Sequence, residues 1–218
     1  METLDRALER ARSIDVDGVA DAIEEIGFEC TDCGDCCRGD GEGDQAHVAV
    51  AFPDEIRDIC DTTDNAWSDV ARPMPFGLAS DGTGETFEWA LQVDDCGDCA
   101  FHRGGDAGGW CGIYDARPRI CRTYPFQIPM PGTAEPDSHV VEECGPVEAF
   151  ECEGLGRSIS REDAESLAQR VKERTIAEIT EAKGVLEHYA PRDHEGAIVH
   201  DSGGAKRPDG TPLPDSPT

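Results

Sequence analysis

The 218-residue chain is strongly acidic: 47 acidic residues stand against 19 basic ones, and the formal net charge is −28 at pH 7. Such a charge repels phosphate backbones and anionic lipid headgroups, so it argues against nucleic-acid binding and against attachment to a membrane surface. There is no apolar run of about 18 residues and no basic N-terminal region followed by an apolar one. We therefore expect a cytoplasmic protein.

The acidic residues are spread along the whole chain, and only three of the bases are lysines: Lys172, Lys183 and Lys206. An acidic, lysine-poor composition resembles that of haloarchaeal proteins, in which dense counterions screen the self-repulsion of the folded chain. An acidic partner-binding protein is the alternative, but the even spread of charge favours halophilic adaptation. Binding to a still unknown protein partner stays open.

Two amphipathic helices are predicted before residue 28. Apolar residues recur at helical spacing over residues 3–12 and again from Val16 to Ile26, and Gly27 stands where a helix-ending glycine is wanted. We interpret residues 1–27 as packing helices that lead the chain into its first cysteine.

The next stretch carries four cysteines within eight positions, spaced C-x2-C-x2-C-C: Cys30, Cys33, Cys36 and Cys37. Thiolates this close repel one another unless a soft cation holds them, so metal binding is the first interpretation. A disulfide framework is the alternative, but a reducing compartment disfavours it. Because adjacent side chains diverge, we hypothesise that Cys36 and Cys37 bind different ions or different metals of one cluster.

Short elements are predicted between this block and the next cysteines. Residues 39–45 are typical of a loop, residues 47–52 of a strand, and residues 86–93 of a second strand, while a helix is predicted to begin at Pro53. Cys60 lies on the apolar side of that helix, and we interpret it as a core thiol.

A second, looser group of cysteines follows. It comprises Cys96, Cys99, Cys111, Cys121, Cys144 and Cys152. Eleven cysteines exceed the four ligands of one tetrahedral ion, so they suffice for one larger cluster or for two sites. His102, three residues after Cys99, could replace a cysteine in a mixed site.

Residues 99–126 are locally basic, with four arginines against two acids. Four thiolates around Zn²⁺ or around a 4Fe–4S core leave a net charge of about −2, which guanidinium groups offset while they lower the pKa of the thiols. We therefore expect Arg117 and Arg122 to act as cofactor-binding residues beside the metal. Pairing with surface acids is the alternative.

Together these blocks resemble the YkgJ-type cysteine-cluster family, also called the CxxCxxCC family of zinc- or iron-chelating domains. The first block matches its name motif, and its second motif, cysteine-x-Ile-Tyr-x-x-Arg-Pro-x-x-Cys-Arg-x-x-Pro-Phe, is matched over residues 111–126. The resemblance covers about residues 28–157. It implies eight metal ligands: Cys30, Cys33, Cys36, Cys37, Cys99, Cys111, Cys121 and Cys152. Outside that pattern fall Cys60, Cys96 and Cys144.

The resemblance implies a cofactor that is an iron–sulfur cluster or zinc. We expect an iron–sulfur protein with a redox or electron-transfer role. The alternative is a structural or chelating zinc module without catalysis of its own, since zinc is redox-inert. A third hypothesis is a protein-modifying enzyme such as a methyltransferase, because some flagellin lysine methylases carry a similar cysteine block. We find no catalytic triad, and whether the chain is an enzyme stays open.

A long amphipathic helix is predicted over residues 158–191, with Ser160 able to cap it, and we expect it to pack on the cysteine-cluster domain. Residues 192–218 are polar and rich in Gly and Pro, which predicts a flexible tail. The sequence thus predicts an α+β protein in which a small metal-stabilised cysteine-cluster domain over residues 28–157, with short strands, is flanked by helices.

Overall fold

The computed structural model describes residues 3–39, 47–105, 108–133, 139–192 and 195–214. Within these ranges the α-helices are α1 (Leu4–Arg12), α2 (Val16–Ile26), α3 (Pro53–Thr63), α4 (Trp67–Val70), α5 (Arg119–Thr123) and α6 (Arg161–His188). The strands are β1 (Val50–Ala51), β2 (Ala71–Pro73), β3 (Gly84–Thr86), β4 (Trp89–Leu91), β5 (His102–Gly105), β6 (Gly108–Cys111), β7 (Phe126–Gln127), β8 (Val140–Cys144), β9 (Val147–Phe150), β10 (Ala197–Asp201) and β11 (Gly204–Lys206). Short 3₁₀ turns lie at Asp35–Cys37 and Tyr114–Ala116. This mixture of helices and short strands confirms the predicted α+β class.

The N-terminal helices form where the apolar periodicity predicts them. The Thr3 side chain caps α1 by accepting a hydrogen bond from the Arg6 N–H at 3.4 Å. Gly27 ends α2 at a φ of +77°, and a Cβ there would stand 2.5 Å from the Arg157 carbonyl oxygen. The predicted loop over residues 39–45 lies, from residue 40 onward, outside the described residues. No helix in the described ranges is both long and apolar enough to cross a membrane.

Contacts within the chain define two compact units. The first contains residues 1–36, 105–109 and 119–182, and the second contains residues 37–104, 110–118 and 183–218. This division differs from the segments predicted from the sequence, because it depends on contacts between stretches that are far apart along the chain. It also separates two adjacent cysteines, since Cys36 belongs to the first unit and Cys37 to the second.

The core of the first unit lies between its helices and the antiparallel sheet β7–β9–β8. Ile23 of α2, Phe126 of β7 and Val171 of α6 are completely buried in one cluster of apolar side chains. A second cluster joins α1 to Ile179 of α6. Burial of these faces supplies the main driving force for folding of the unit.

A buried arginine anchors α5, the helix that carries Cys121. The Arg174 guanidinium pairs with Glu178 at 2.7 Å and donates to the Thr123 hydroxyl at 3.1 Å, and both charged side chains are less than one-tenth exposed. A buried charge is tolerated only when it is paired and hydrogen-bonded, as here. Arg174 therefore holds the C-terminal end of α5 on α6.

The second unit contains two three-stranded sheets, β1–β4–β2 and β11–β10–β3, and the ends of the β5–β6 pair. Its largest buried side chain is Trp89 of β4, which is 1% exposed. The Trp89 ring meets Trp67 edge to face, with ring centroids 5.1 Å apart. This contact packs α4 on β4.

The prediction of a flexible tail over residues 192–218 is wrong for residues 195–214. β10 pairs in parallel with β3, which lies more than 100 residues earlier, and antiparallel with β11. Asp201 of β10 is 1% exposed, accepts a hydrogen bond from Trp89 Nε1 at 2.9 Å and pairs with Lys206. The apolar part of this hairpin is too short to stand out in a polar segment, and its burial depends on a distant strand.

We expect Asp201→Ala to destabilise the protein by about 3 kcal/mol, because it leaves the buried Lys206 ammonium without its partner. Urea unfolding in high salt, followed by tryptophan fluorescence, measures this loss. The exposed Glu195→Ala is the control and should stay within about 0.5 kcal/mol of the wild type. An Asp201 variant as stable as the wild type would contradict a stabilising role for the C-terminal strands.

His47 makes stability depend on pH. Burial, helped by the nearby Arg72 charge, lowers the pKa of His47 to about 4. Below pH 6.5 the unfolded chain therefore takes up a proton that the folded chain refuses, so stability present above the unfolded pKa is lost as the pH falls. The loss between pH 7.5 and pH 5 should be about 2 kcal/mol.

His47→Gln should remove this contribution. The free energy of unfolding is measured at pH 7.5 and at pH 5, and the variant should lose about 2 kcal/mol less between these two pH values than the wild type. The exposed His139→Gln serves as control and should keep the wild-type pH dependence. Equal pH dependence of the His47 variant and the wild type would show that His47 has the same pKa in the folded protein as in the unfolded chain, and it would contradict this prediction.

Candidate metal centre

Backbone hydrogen bonds in the first unit place the first cysteine block beside the loop that carries Cys152. The Glu29 N–H donates to the Gly154 carbonyl at 3.0 Å, and the Gly156 N–H donates to the Gly27 carbonyl at the same distance. A Cβ at position 154 would stand 2.4 Å from the Glu29 carbonyl oxygen. Glycine is therefore required at position 154 for Cys30 and Cys152 to be carried on adjoining backbone segments.

The chain between the first cysteines is a loop and not an α-helix. Asp32 and Gly34 both adopt left-handed conformations, with φ of +53° and +81°, and the turn from Asp35 to Cys37 is 3₁₀. Two left-handed residues change the chain direction between successive thiols.

The thiols of Cys30, Cys33 and Cys36 lie within electrostatic reach of the Cys152 thiol. Burial raises the pKa of Cys152, the Gly154 N–H lowers it by donating to its sulfur at 3.4 Å, and the charges of Cys33, Cys36 and Cys30 raise it again. Burial also raises the pKa of Cys30, and the charge of Cys36 adds to that effect. A cation bound among these sulfurs would reverse the repulsion and favour the thiolates.

Tyr124 borders the same thiols, although the sequence analysis assigns it no function. Its hydroxyl donates to the Glu151 carbonyl. Burial and the charges of Cys152, Cys36, Glu151 and Cys33 raise the pKa of Tyr124 to about 12. In the sequence, the only indication that Tyr124 lies near the cysteines is its position inside the second motif, directly before Pro125 and Phe126.

Two carboxylates also reach the first cysteine block. The ligand atoms of Cys33, Asp35 and Glu153 all lie within 4.8 Å of one another. Glu153 is partly balanced by Arg157, whose guanidinium lies 3.5 Å away. Sequence reasoning passed over both carboxylates, because acidic residues are common throughout this chain.

The second unit holds the other part of the predicted ligand set. The Cys99 N–H donates to the Cys37 carbonyl at 2.8 Å, and Cys99 is only 4% exposed. Cys96 is exposed on the turn before Cys99, where its N–H donates to the Asp94 carboxylate at 2.8 Å. Cys111 ends β6.

The eight predicted ligands are thus divided between the units. Five belong to the first unit, namely Cys30, Cys33, Cys36, Cys121 and Cys152, and three to the second, namely Cys37, Cys99 and Cys111. No disulfide joins any of the eleven cysteines, all of which lie in the described ranges.

Two of the cysteines outside the predicted ligand set have their own surroundings. Cys60 is half-buried on α3. The Cys144 thiol donates to the Glu25 carboxylate at 3.2 Å, and this hydrogen bond raises the pKa of Cys144.

The two predicted cofactor-binding arginines also fall in different units. The Arg117 guanidinium lies 3.7 Å from the centre of the Tyr114 ring, and its Nε donates to the Tyr114 carbonyl at 3.0 Å. Arg122 is exposed in the last turn of α5, the same helix as Cys121. Their predicted role beside a metal stays a prediction.

These residues fit a soft metal or an iron–sulfur cluster. The ligands available in the first unit are thiols, with carboxylates beside them, and thiolate is the ligand that zinc, iron–sulfur clusters and other soft centres prefer. Cys30, Cys33, Cys36 and Cys152 would hold the group there.

We expect Gly154→Ala to speed the loss of bound metal by about tenfold or more, because the added methyl group must push the Cys152 loop away from Glu29. Transfer of metal to a coloured chelator measures the rate. Gly18→Ala in α2, where the nearest atom stands 3.3 Å from the new methyl group, is the control and should release metal at the wild-type rate. The opposite ranking of the two variants would contradict the role of this backbone contact.

Comparison with known protein families gives a match for the CxxCxxCC family, described as "Putative zinc- or iron-chelating domain", over residues 29–145. Searches of curated proteins and of solved structures found no match. The matched segment spans more than half of the chain and includes both cysteine blocks, while Cys152 lies just beyond it. The chain therefore belongs to the CxxCxxCC family of zinc- or iron-chelating domains.

Proposed function

We propose that the protein holds an iron–sulfur cluster on the thiolates of its first unit and uses it in electron transfer or another redox reaction. The observation that carries this proposal is the backbone contact between Glu29 and Gly154, which sets Cys152 beside the loop of Cys30, Cys33 and Cys36. Burial raises the pKa of Cys152, and the charges of those three thiols raise it further. Four thiolates are the usual ligand set of an iron–sulfur cluster.

The exposure of two of these thiols supports the redox role. Cys30 and Cys36 are exposed, whereas Cys33 and Cys152 are half-buried. A cluster bound there would lie at the surface of its unit, where a protein partner could approach it. Solvent exposure is also one of the factors that determine the reduction potential of such clusters.

The ligand set follows the eight cysteines of the family pattern. Cys121, on α5, is the fifth predicted ligand in the first unit, and Arg122 on the same helix would offset the negative charge of the cluster. Cys37, Cys99 and Cys111 would bind metal in the second unit.

A zinc module is the second candidate function. The grouping of Cys33, Asp35 and Glu153 favours it, because one thiolate and two carboxylate oxygens are ligands that zinc accepts. In that case the protein would chelate or store zinc, or use it as a structural crosslink, and it would carry out no electron transfer.

Elemental analysis with a visible spectrum decides between the two. The protein is purified anaerobically in high salt, and iron, acid-labile sulfide and zinc are measured per chain. Iron and sulfide with a broad visible band are the expected result, because thiolate-bound iron clusters absorb visible light. A colourless protein that contains zinc and stays free of iron after reconstitution would overturn the iron–sulfur proposal.

Cys152→Ser should lose most of the iron and sulfide, because it removes a ligand, whereas Cys144→Ser should keep them. The control is matched: Cys144 lies in the same unit, and a serine there can still donate to Glu25. Iron and sulfide content of the two variants, purified side by side, gives the comparison. Similar losses in both would show that the fold, and not a ligand, had been damaged.

A further inference from the structure

One nitrogen of His102 has no partner. Its Nε2 is buried and makes no hydrogen bond within the described residues. A buried imidazole nitrogen without a hydrogen bond lowers the stability of the folded protein, so such an atom usually has a functional reason. A metal ion is one partner that a neutral imidazole nitrogen accepts.

Backbone hydrogen bonds place His102 next to two cysteines of the second unit. The His102 N–H donates to the Cys99 carbonyl at 2.8 Å, which closes a turn between the two residues. The Cys99 N–H in turn donates to the Cys37 carbonyl, also at 2.8 Å. Three residues with metal-binding side chains are thereby tied together through their main chains.

The β5–β6 pair adds a third cysteine. His102 begins β5 and Cys111 ends β6, and the Gly112 N–H donates to the Phe101 carbonyl at 2.8 Å. Because strands joined by so short a connection run antiparallel, this bond sets His102 opposite Cys111. Directly opposed residues have Cβ atoms about 5 Å apart on one face of the sheet.

We propose that the second unit binds Zn²⁺ through the thiolates of Cys37, Cys99 and Cys111 and through Nε2 of His102. Three thiolates and one imidazole are a common ligand set of structural zinc sites. The unit contains only three of the eight cysteines implied by the family resemblance, and His102 supplies the missing fourth ligand.

Binding of the ion would draw the four ligand atoms together. In the described residues no three of these atoms lie within 4.8 Å of one another, whereas the sulfurs and nitrogen around zinc are closer than that. Changes of side-chain rotamer would bring the ligand atoms closer, because backbone hydrogen bonds already link Cys37 to Cys99 and Cys99 to His102. Zinc binding is thus expected to add order to the β5–β6 pair.

This inference rests on the proposed metal-binding function and can fail separately from it. Zinc and iron per chain are measured in the full-length protein and its variants after dialysis, and zinc affinity is measured by competition with a chromophoric chelator. His102→Leu should lose about one zinc per chain and weaken binding by more than about 100-fold. It should keep the metal of the first unit.

Companion variants define the ligand set. Cys37→Ser should lose the same zinc, and Cys36→Ser should instead lose the metal of the first unit. Cys96→Ser and the exposed His139→Leu should keep both. His102→Cys should keep the zinc, and after Co²⁺ replaces Zn²⁺ its absorption bands should move to lower energy, because a thiolate has replaced the imidazole.

Unchanged zinc content and affinity in His102→Leu would overturn the inference, as would superimposable Co²⁺ spectra for His102→Cys and the wild type. Loss of zinc in Cys96→Ser with retention in His102→Leu would assign the fourth ligand to Cys96. If His102→Leu fails to fold, the Co²⁺ comparison with His102→Cys still decides. A wild-type chain that binds no metal at all, even after reconstitution, would instead overturn the proposed function.

Discussion

The contact between Glu29 and Gly154 is the constraint on which the candidate centre depends. It joins the first cysteine block to a loop that follows the last strand of the β7–β9–β8 sheet, and it tolerates no side chain at position 154. Bringing such distant stretches together costs chain entropy. The apolar core formed by α2, α6 and the sheet offsets that cost, and bound metal would stabilise the arrangement further.

Electrostatics explain why this arrangement calls for a cation. Burial, and after it the charges of neighbouring groups, raise the pKa of Cys152 and of Cys30, so the metal-free site favours protonated sulfur. The chain as a whole carries a net charge of −28, which adds to the repulsion. A bound metal would reduce the repulsion between the thiolates, and a high salt concentration would reduce the repulsion between charges over the whole surface.

The proposal of two metal sites draws on the division between Cys36 and Cys37, the adjacent pair of the name motif. Cys36 belongs to the unit of Cys30, Cys33 and Cys152, whereas the Cys37 carbonyl is bonded to Cys99 in the other unit. Cys36 and Cys37 lie in a 3₁₀ turn, in which successive side chains point about 120° apart, so a single C-C step could serve two sites. In the proposed second site, the unpartnered nitrogen of His102 would complete the ligand set.

The sequence by itself determined the chemistry and the local structure of this protein. Cysteine spacing predicted metal binding by thiolates, and apolar periodicity predicted α1, α2, α3 and α6, because both signals arise between residues close along the chain. Only the tertiary structure decided which thiols share a unit, brought Tyr124 to them and buried Asp201 against Trp89. Those placements depend on contacts between segments that are distant along the chain, such as β10 on β3, and no local pattern encodes them.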